Sequence, residues 1–315
     1  MTVPTAPDPP ARIPVLFDTD IGSDIDDAVA LAYLLRQPRC ELVGITTVTG
    51  DTAKRAALAE ITCRAAGRTD VPIIAGLAGP LLHGPGQPNV PQYEAVKDRP
   101  HRKDYTANGH GGASAVNFLR ETIRARPGEI TLLAVGPMTN VGALFALDPE
   151  IPRLLKRVVL MCGVFTAAGG QGPGAREWNA LVDPVASALV FRHAAPGTLL
   201  SVGLDVTTRC VLPQAECRER FTRAGGALGV VAQMAEVWFK HAPHITFHDP
   251  LAATLVFAPD LCKTQTGRVD VVTDDNPLAG LTRWSAVADG PHTIASDVNP
   301  DAFFAHYFAV AGKAA

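Results

Sequence analysis

Apolar runs rich in β-branched residues alternate along this chain with segments of helical apolar periodicity, and this alternation constrains the fold most. The runs that predict buried strands are residues 13–17, 42–48, 71–75, 130–135, 158–161 and 198–202. The segments that predict helices are residues 26–36, 52–66, 113–126, 139–147 and 184–192. Such alternation builds an α/β fold, a mostly parallel central sheet flanked by helices. Ligands of such sheets bind at the carboxyl ends of the strands.

Length and composition predict one large domain. The chain has 315 residues, 47% hydrophobic and 19% charged, which is enough for a sizeable core. Residues 1–12 are proline-rich without an apolar stretch, so they predict a disordered tail before a single domain at 13–315. A net charge of −3 and the absence of a long apolar run favour neither a nucleic acid nor a membrane as partner. Six scattered cysteines without a Cys-x-x-Cys pair indicate reduced thiols in a cytoplasmic protein.

Five aspartates lie within residues 18–27, between the first predicted strand and the first predicted helix: Asp18, Asp20, Asp24, Asp26 and Asp27. Carboxylates this close repel one another unless some are protonated or a cation lies among them. No histidine or cysteine is near, and hard oxygen ligands favour calcium or magnesium over zinc. The run therefore predicts a metal site at the carboxyl end of the first strand.

Several other interpretations of the acidic run stay open. One aspartate, Asp24, could only cap the helix, and the whole run could be a solvated acidic turn. A calcium-binding helix–loop–helix is excluded, because Gly22 and Val29 fall where that loop needs ligands. A metal-dependent phosphohydrolase with Asp18 as nucleophile and a non-catalytic, calcium-stabilised ribose-binding protein remain as alternatives.

A second group of candidate residues lies far downstream. Asp249 precedes the apolar helical run 251–257 and predicts another carboxylate at a helix start, with His248 beside it as a candidate for proton transfer. Two long glycine-rich segments, 76–112 and 163–180, predict loops that cover the ligand side of the sheet. We expect Trp178 and Trp238 to be core aromatics.

Six blocks in order along the chain resemble the signatures of the inosine-uridine-preferring nucleoside hydrolase family. They are DTDIGSDIDDA at 18–28, ITTVTG at 45–50, VGPMTN at 135–140, VVLMCG at 158–163, EWN with DP at 177–184, and HDP at 248–250. The resemblance implies that family's Rossmann-like fold over 13–315. It also implies hydrolysis of the N-glycosidic bond of ribonucleosides, which gives ribose and free base, with one bound calcium.

The resemblance also implies roles for single residues, and its departures identify where this chain differs. By resemblance, the calcium ligands would be Asp20, Asp27, Asp249 and the carbonyl of Val135. Asp20 would be the general base that activates calcium-bound water, and His248 would act on the leaving base. The substrate contacts would be Asp26, Asp51, Glu177, Asn179 and Asp249. Two extra residues separate Asp20 from Asp26, and Asp51 stands where the family often has asparagine. The family would further imply a homodimer or homotetramer acting on a small-molecule nucleoside.

Overall fold

The computed structural model describes residues 11–106, 113–166 and 175–313. Most of the predicted tail, residues 1–10, and parts of both predicted covering loops, 107–112 and 167–174, lie outside the described residues. None of the helices within the described ranges is long and apolar enough to cross a membrane.

Eleven strands form two sheets in the described part of the chain. Nine belong to the central sheet, in the order β10-β9-β11-β6-β5-β4-β1-β2-β3, and the other two, β7 and β8, form a small antiparallel pair. The strands are β1 (Ile13–Thr19), β2 (Cys40–Thr47), β3 (Ile73–Ala75), β4 (Thr131–Ala134), β5 (Arg157–Met161), β6 (Leu199–Val202), β7 (Val211–Pro213), β8 (His244–Thr246), β9 (Cys262–Val271), β10 (Thr282–Ala286) and β11 (His292–Val298).

Helices follow most of the strands and cover both faces of the sheet. They are α1 (Asp26–Arg36), α2 (Thr52–Ala65), α3 (Tyr93–Val96), α4 (Ala113–Ala125), α5 (Thr139–Leu147), α6 (Ile151–Leu154), α7 (Trp178–Val182), α8 (Pro184–His193), α9 (Leu204–Thr207), α10 (Gln214–Ala224), α11 (Gly226–Trp238), α12 (His248–Leu255) and α13 (Pro300–Ala311). One apolar core packs α1, α2, α11, α12 and α13 against one face, and a second packs α4, α5 and α8 against the other. All six cysteines are free and buried, as the sequence predicts.

The strand order of the central sheet reverses between β1 and β4, and this switch point positions the site. From β1 the chain proceeds to β2 and β3 on one side, whereas β4, β5 and β6 follow on the other. The strands β1 to β6 run parallel to one another, and β11 runs parallel to β6. The connections therefore diverge at the carboxyl ends of β1 and β4, which leaves a crevice of the kind that binds ligands in α/β proteins.

The predicted fold class is confirmed, and all six predicted strands and five predicted helices are present within a few residues of their expected ends. The sheet also has an antiparallel extension that the sequence pattern does not predict, in which β9 pairs with β11 and β10 pairs with β9. The helix predicted from the apolar run after Asp249 begins earlier, at His248.

Candidate active site

A cavity of about 460 Å³ opens at the carboxyl ends of β1, β4 and β5, within the usual size range of small-molecule pockets. Carboxylates dominate its polar lining and two tryptophans contribute to its apolar lining. The lining residues are Asp20, Ser23, Asp24, Asp26, Asp27, Gln87, Val135, Met161, Arg176, Glu177, Trp178, Asn179, Leu204, Trp238, His248 and Asp249. The acidic run and the downstream HDP block, 221 residues apart in sequence from Asp27 to His248, thus meet in one cavity.

Three buried carboxylates, Asp26, Asp27 and Asp249, each offer an oxygen within 4.8 Å of the other two. Asp26 and Asp27 begin α1, and Asp249 lies in the first turn of α12, so two helix N-termini face the same point. Thr19 donates a hydrogen bond of 2.5 Å from Oγ1 to Asp27 Oδ1. Burial, followed by repulsion from neighbouring carboxylates, raises the pKa of all three groups. Such a donor set fits a hard divalent cation, because a cation would relieve the repulsion.

Asp20 lies directly after β1 and also lines the cavity, with only 6% of its surface exposed. Burial raises the pKa of Asp20, and the nearby charge of Arg55 opposes that rise. Asp24 lines the cavity as well and accepts a hydrogen bond from Ile25 N at 2.6 Å, outside the helix proper. Burial raises the pKa of Asp24 to about 6. Asp24 is half-buried, and the other four aspartates of the run are buried, which excludes a solvated acidic turn.

Asp18 lies beneath the cavity and does not line it. Its side chain is fully buried, and its Oδ1 accepts hydrogen bonds from Thr46 Oγ1 at 2.5 Å and from Asn140 Nδ2 at 2.7 Å. Burial raises the pKa of Asp18 to about 7. A carboxylate enclosed in this way cannot attack a substrate, so the structure gives no support to a phosphohydrolase with Asp18 as nucleophile.

Glu177 and Asn179 lie at the start of α7 on the wall formed by β4 and β5. Both Glu177 oxygens accept main-chain hydrogen bonds, Oε1 from Asn179 N at 2.6 Å and Oε2 from Gly163 N and Ala180 N at 3.0 Å. The Asn179 amide group donates to the carbonyls of Val135 at 2.6 Å and Met161 at 3.0 Å. These bonds orient Asn179 Oδ1 as the acceptor left for a ligand hydroxyl. Val135 lines the cavity, and the role of its carbonyl as a metal ligand stays a prediction.

His248 is the first residue of α12 and lines the cavity beside Asp249. Its Nδ1 lies 2.7 Å from the hydroxyl oxygen of Thr207. Burial lowers the pKa of His248 to about 4, so the imidazole is neutral near pH 7. A neutral imidazole can exchange hydrogen bonds with a leaving base, but it is a poor proton reservoir at that pH.

Two expectations do not match the placement of the side chains. Asp51 does not line the cavity: it caps α2, accepting from Lys54 N at 3.0 Å and pairing with Lys54 Nζ at 3.1 Å. Its predicted substrate contact thus has no support from this placement. The assignment of Trp178 to the core is wrong, because it lines the cavity and is 46% exposed, whereas Trp238 is partly buried against the core and also lines the cavity.

Sequence reasoning also missed several residues on the cavity wall. Gln87 reaches the site from the long segment after β3, and its Oε1 accepts a hydrogen bond from Trp178 Nε1 at 3.0 Å. Ser23 and Met161 lie within two of the matched blocks without an assigned role, and Arg176 and Leu204 lie outside all six blocks. For Arg176 and Trp178, adjacency to Glu177 was an available signal. For Gln87 and Leu204 no local pattern distinguishes them, because the fold alone brings them to the site.

Comparisons with known proteins agree with this geometry. A family profile described as "Inosine-uridine preferring nucleoside hydrolase" matches residues 15–305. A probable uridine nucleosidase 2 of Oryza sativa subsp. japonica is 31% identical over 90% of this chain and 87% of its own length. A pyrimidine-specific ribonucleoside hydrolase of Citrobacter koseri is 32% identical over 86% of this chain and 87% of its own.

A solved structure extends the likeness to three dimensions. The crystal structure of an inosine-uridine preferring nucleoside hydrolase from Bacillus anthracis superposes with a TM-score of 0.78 at 25% identity, covering 95% of this chain and 99% of the other. The profile match spans nearly the whole chain, and the buried aspartates lie within it. The chain therefore belongs to the inosine-uridine preferring nucleoside hydrolase family, enzymes that hydrolyse the N-glycosidic bond of nucleosides.

Proposed function

We propose that this protein hydrolyses ribonucleosides to ribose and free base in the cavity described above, with calcium as its metal. The observation that supports this most is the group formed by Asp26, Asp27 and Asp249 on one wall of that cavity. Cleavage of a glycosidic bond passes through a state with positive charge on the sugar ring. A wall of preorganised carboxylates stabilises that charge as it develops.

The proposed metal ligands are Asp20, Asp27, Asp249 and the carbonyl of Val135. Carboxylates and a carbonyl are hard oxygen donors of the kind that calcium prefers. Two of these ligands, Asp27 and Asp249, belong to the buried group whose oxygens lie within 4.8 Å of one another. When bound, the cation would orient the sugar hydroxyls and make a nearby water easier to deprotonate. The resemblance to the family supports this ligand set.

The side chains of this chain would divide the remaining work. Asp20 takes the proton from the attacking water, since its carboxylate lines the cavity beside the acidic group. Asp26, Asp249 and Asn179 accept hydrogen bonds from ribose hydroxyls. Glu177 binds the 5′-hydroxyl through lone pairs that its three main-chain hydrogen bonds leave available.

The leaving base would lie towards the opening of the cavity. Trp178, Trp238 and Leu204 give that part of the wall an apolar and aromatic character. His248, neutral at pH 7, hydrogen-bonds the departing base and does not protonate it outright. Because named relatives are uridine nucleosidases and pyrimidine-specific hydrolases, we propose uridine as the preferred substrate among common nucleosides.

A substrate panel tests the proposal. Purified protein with calcium is incubated with uridine, cytidine, inosine and adenosine, and released ribose and base are measured separately. We expect equal amounts of both products, fastest from uridine, and loss of nearly all activity in Asp20→Asn. Asp70→Asn, an exposed aspartate outside the cavity, is the matched control. Thermal stabilisation by ribose without any product would instead indicate a ribose-binding protein.

We also propose that the protein is cytoplasmic and forms a homodimer or homotetramer, on the family resemblance. Six free, buried thiols support a reducing compartment. Light scattering coupled to size-exclusion chromatography distinguishes a dimer or tetramer from a monomer.

A further inference from the structure

Arg55, on the first turns of α2, is a fully buried arginine beneath the cavity floor. An arginine guanidinium has five N–H donors in a rigid planar fork. In this chain every nitrogen of that fork donates to an oxygen. Nε donates to Thr49 O at 2.7 Å, and Nη2 donates to Gln87 O at 3.3 Å. The remaining bonds reach the loop that links β1 to α1.

That loop contains the extra residues between Asp20 and Asp26. Arg55 Nη1 donates to the carbonyl of Asp20 and, at 3.1 Å, to the carbonyl of Ile21, while Nη2 donates to Ser23 Oγ at 2.9 Å. Main-chain carbonyls in a buried loop need donors, and no strand partner supplies them here. The same permanent charge attracts the carboxylates of Asp20 and Asp27. Arg55 thus holds the main chain of Asp20 from beneath the cavity, whereas the side chain of Asp20 faces the cavity.

The other two carbonyls that Arg55 contacts belong to segments that press against each other. Thr49 has a φ of 62°, a left-handed conformation that is unusual for a β-branched residue. Gly50 follows at a φ of 64°, and a Cβ there would lie 2.1 Å from the carbonyl oxygen of Gln87. This close approach requires glycine. It brings Gln87, whose side chain contacts Trp178, over the edge of the site.

We propose that Arg55 is a positioning residue of the active site, which clamps the Asp20 loop, the Thr49 turn and the Gln87 segment into one rigid unit. This inference rests on the proposed function, because it assigns Asp20 the general-base role. A lysine cannot replace the clamp, since a single ammonium group cannot bind five oxygens spread over three segments. The fork is matched to the longer loop of this chain, whose carbonyls and Ser23 hydroxyl take three of its bonds.

The test compares Arg55→Lys, which keeps the charge and loses the fork, with Arg157→Lys. Arg157 is a partly buried arginine at the start of β5, away from the cavity, and its Nη1 donates to Leu255 O at 3.3 Å. We expect Arg55→Lys to lower kcat for uridine by about 30- to 100-fold, because a misplacement on the order of 1 Å costs about that much. We expect KM to change by less than about threefold, since the ribose contacts come from other residues. Arg157→Lys should keep both constants.

Two further measurements make the outcomes decisive. Circular dichroism and thermal melting give the folded fraction of each variant, and kcat is expressed per folded molecule. Ser23→Ala removes one bond of the clamp and is expected to fold even if Arg55→Lys does not, with a smaller fall in kcat at unchanged KM. An unchanged kcat per folded molecule in both Arg55→Lys and Ser23→Ala overturns the positioning role. Failure of the unaltered protein to hydrolyse any nucleoside overturns the proposed function instead.

Discussion

The main-chain N–H of Asp249 donates a hydrogen bond of 3.0 Å to Asp26 Oδ2, although the two residues are 223 positions apart in sequence. The bond joins the start of α12 to the start of α1, and the two helices pack side by side in the core. It therefore fixes the distance between two of the three buried carboxylates. The geometry of the proposed metal site depends on this junction.

The main-chain bond from Asp249 to Asp26 allows the charge of the Asp249 side chain to be removed without loss of that bond. Asp249→Asn leaves the main-chain donor to Asp26 intact and takes one carboxylate from the group. We expect kcat/KM for uridine to fall by about 10²- to 10³-fold, as for loss of a preorganised electrostatic contact. Calorimetric titration with calcium should show weaker binding. Asp301→Asn, on the exposed first turn of α13, should change neither quantity. Unaltered calcium affinity in Asp249→Asn would contradict the assigned ligand set.

Removal of metal predicts an unusual dependence of stability on pH. Burial raises the pKa of Asp18 to about 7 and that of Asp24 to about 6, above the ordinary value of 3.8, and those of Asp26, Asp27 and Asp249 are raised as well. A raised pKa means that the folded state binds more protons than the unfolded state. The contribution of these protonated carboxyl groups to the free energy of unfolding is therefore fully present below about pH 4. It is lost as pH rises through about 6 to 7.

The corresponding measurement is thermal melting with chelator, compared with excess calcium. With chelator, we expect Tm to fall by about 5 °C or more between about pH 5 and pH 8. With calcium the fall should largely disappear, because the cation takes over from the protons in offsetting the repulsion. A chelator-treated protein that gains stability over this range would show that the carboxylates do not repel as the structure implies.

The depressed pKa of His248 predicts the shape of the pH–rate profile. Since burial lowers that pKa to about 4, His248 is already neutral at pH 6 and does not change charge between pH 6 and 8. We expect kcat/KM of the unaltered enzyme and of His248→Gln to depend on pH in parallel over that range, with the variant slower throughout. A basic limb near pH 6 to 7 that disappears in His248→Gln would identify a protonated His248 as general acid.

The position of Trp178, exposed and in contact with Gln87, predicts that its loss weakens substrate binding but hardly changes the stability of the fold. Trp178 is 46% exposed, so Trp178→Ala should leave Tm within about 2 °C of the unaltered protein. Loss of an aromatic partner for the base is worth about 1 to 3 kcal/mol, which should appear as a higher KM for uridine. Trp178→Phe keeps a single aromatic ring and removes the rest of the indole, including the N–H that contacts Gln87 Oε1. The KM of Trp178→Phe should lie between those of the unaltered protein and Trp178→Ala. Equal KM values in these three proteins would show that Trp178 does not contact the substrate.

A structural feature of this molecule is predictable from sequence when the contacts that form it are local along the chain. The strands β1, β2 and β4 each contain a short buried apolar run, and the helices between them have apolar periodicity, so local patterns suffice. By contrast, β9 is mostly exposed and its polar sequence contains no buried run. It is a strand because β11 and β10 pair with it, which no local pattern reports.

The site divides in the same way. Asp26 and Asp27 begin α1 shortly after β1, so sequence position places them at one edge of the central sheet. Asp249 follows β8 of the small sheet, and its contact with Asp26 comes from the packing of α12 against α1. Asp51 also lies between a strand and a helix, β2 and α2. Its carboxylate pairs with Lys54, one helical turn away, and does not line the cavity. Trp238, at the end of α11, reaches the cavity only through the packing of that helix against α1 and α2.

The two-residue insertion provides the sharpest test of how this chain builds its site. Asp24 lines the cavity but lies outside the group formed by Asp26, Asp27 and Asp249, and its Oδ1 already accepts the hydrogen bond from Ile25 N. We therefore expect Asp24→Asn to lower kcat/KM by less than about tenfold, whereas Asp20→Asn removes a general base worth about 10²- to 10⁴-fold. Steady-state kinetics with uridine under identical calcium concentrations gives both values. Equal losses in the two variants would mean that the inserted carboxylate has itself become part of the catalytic group.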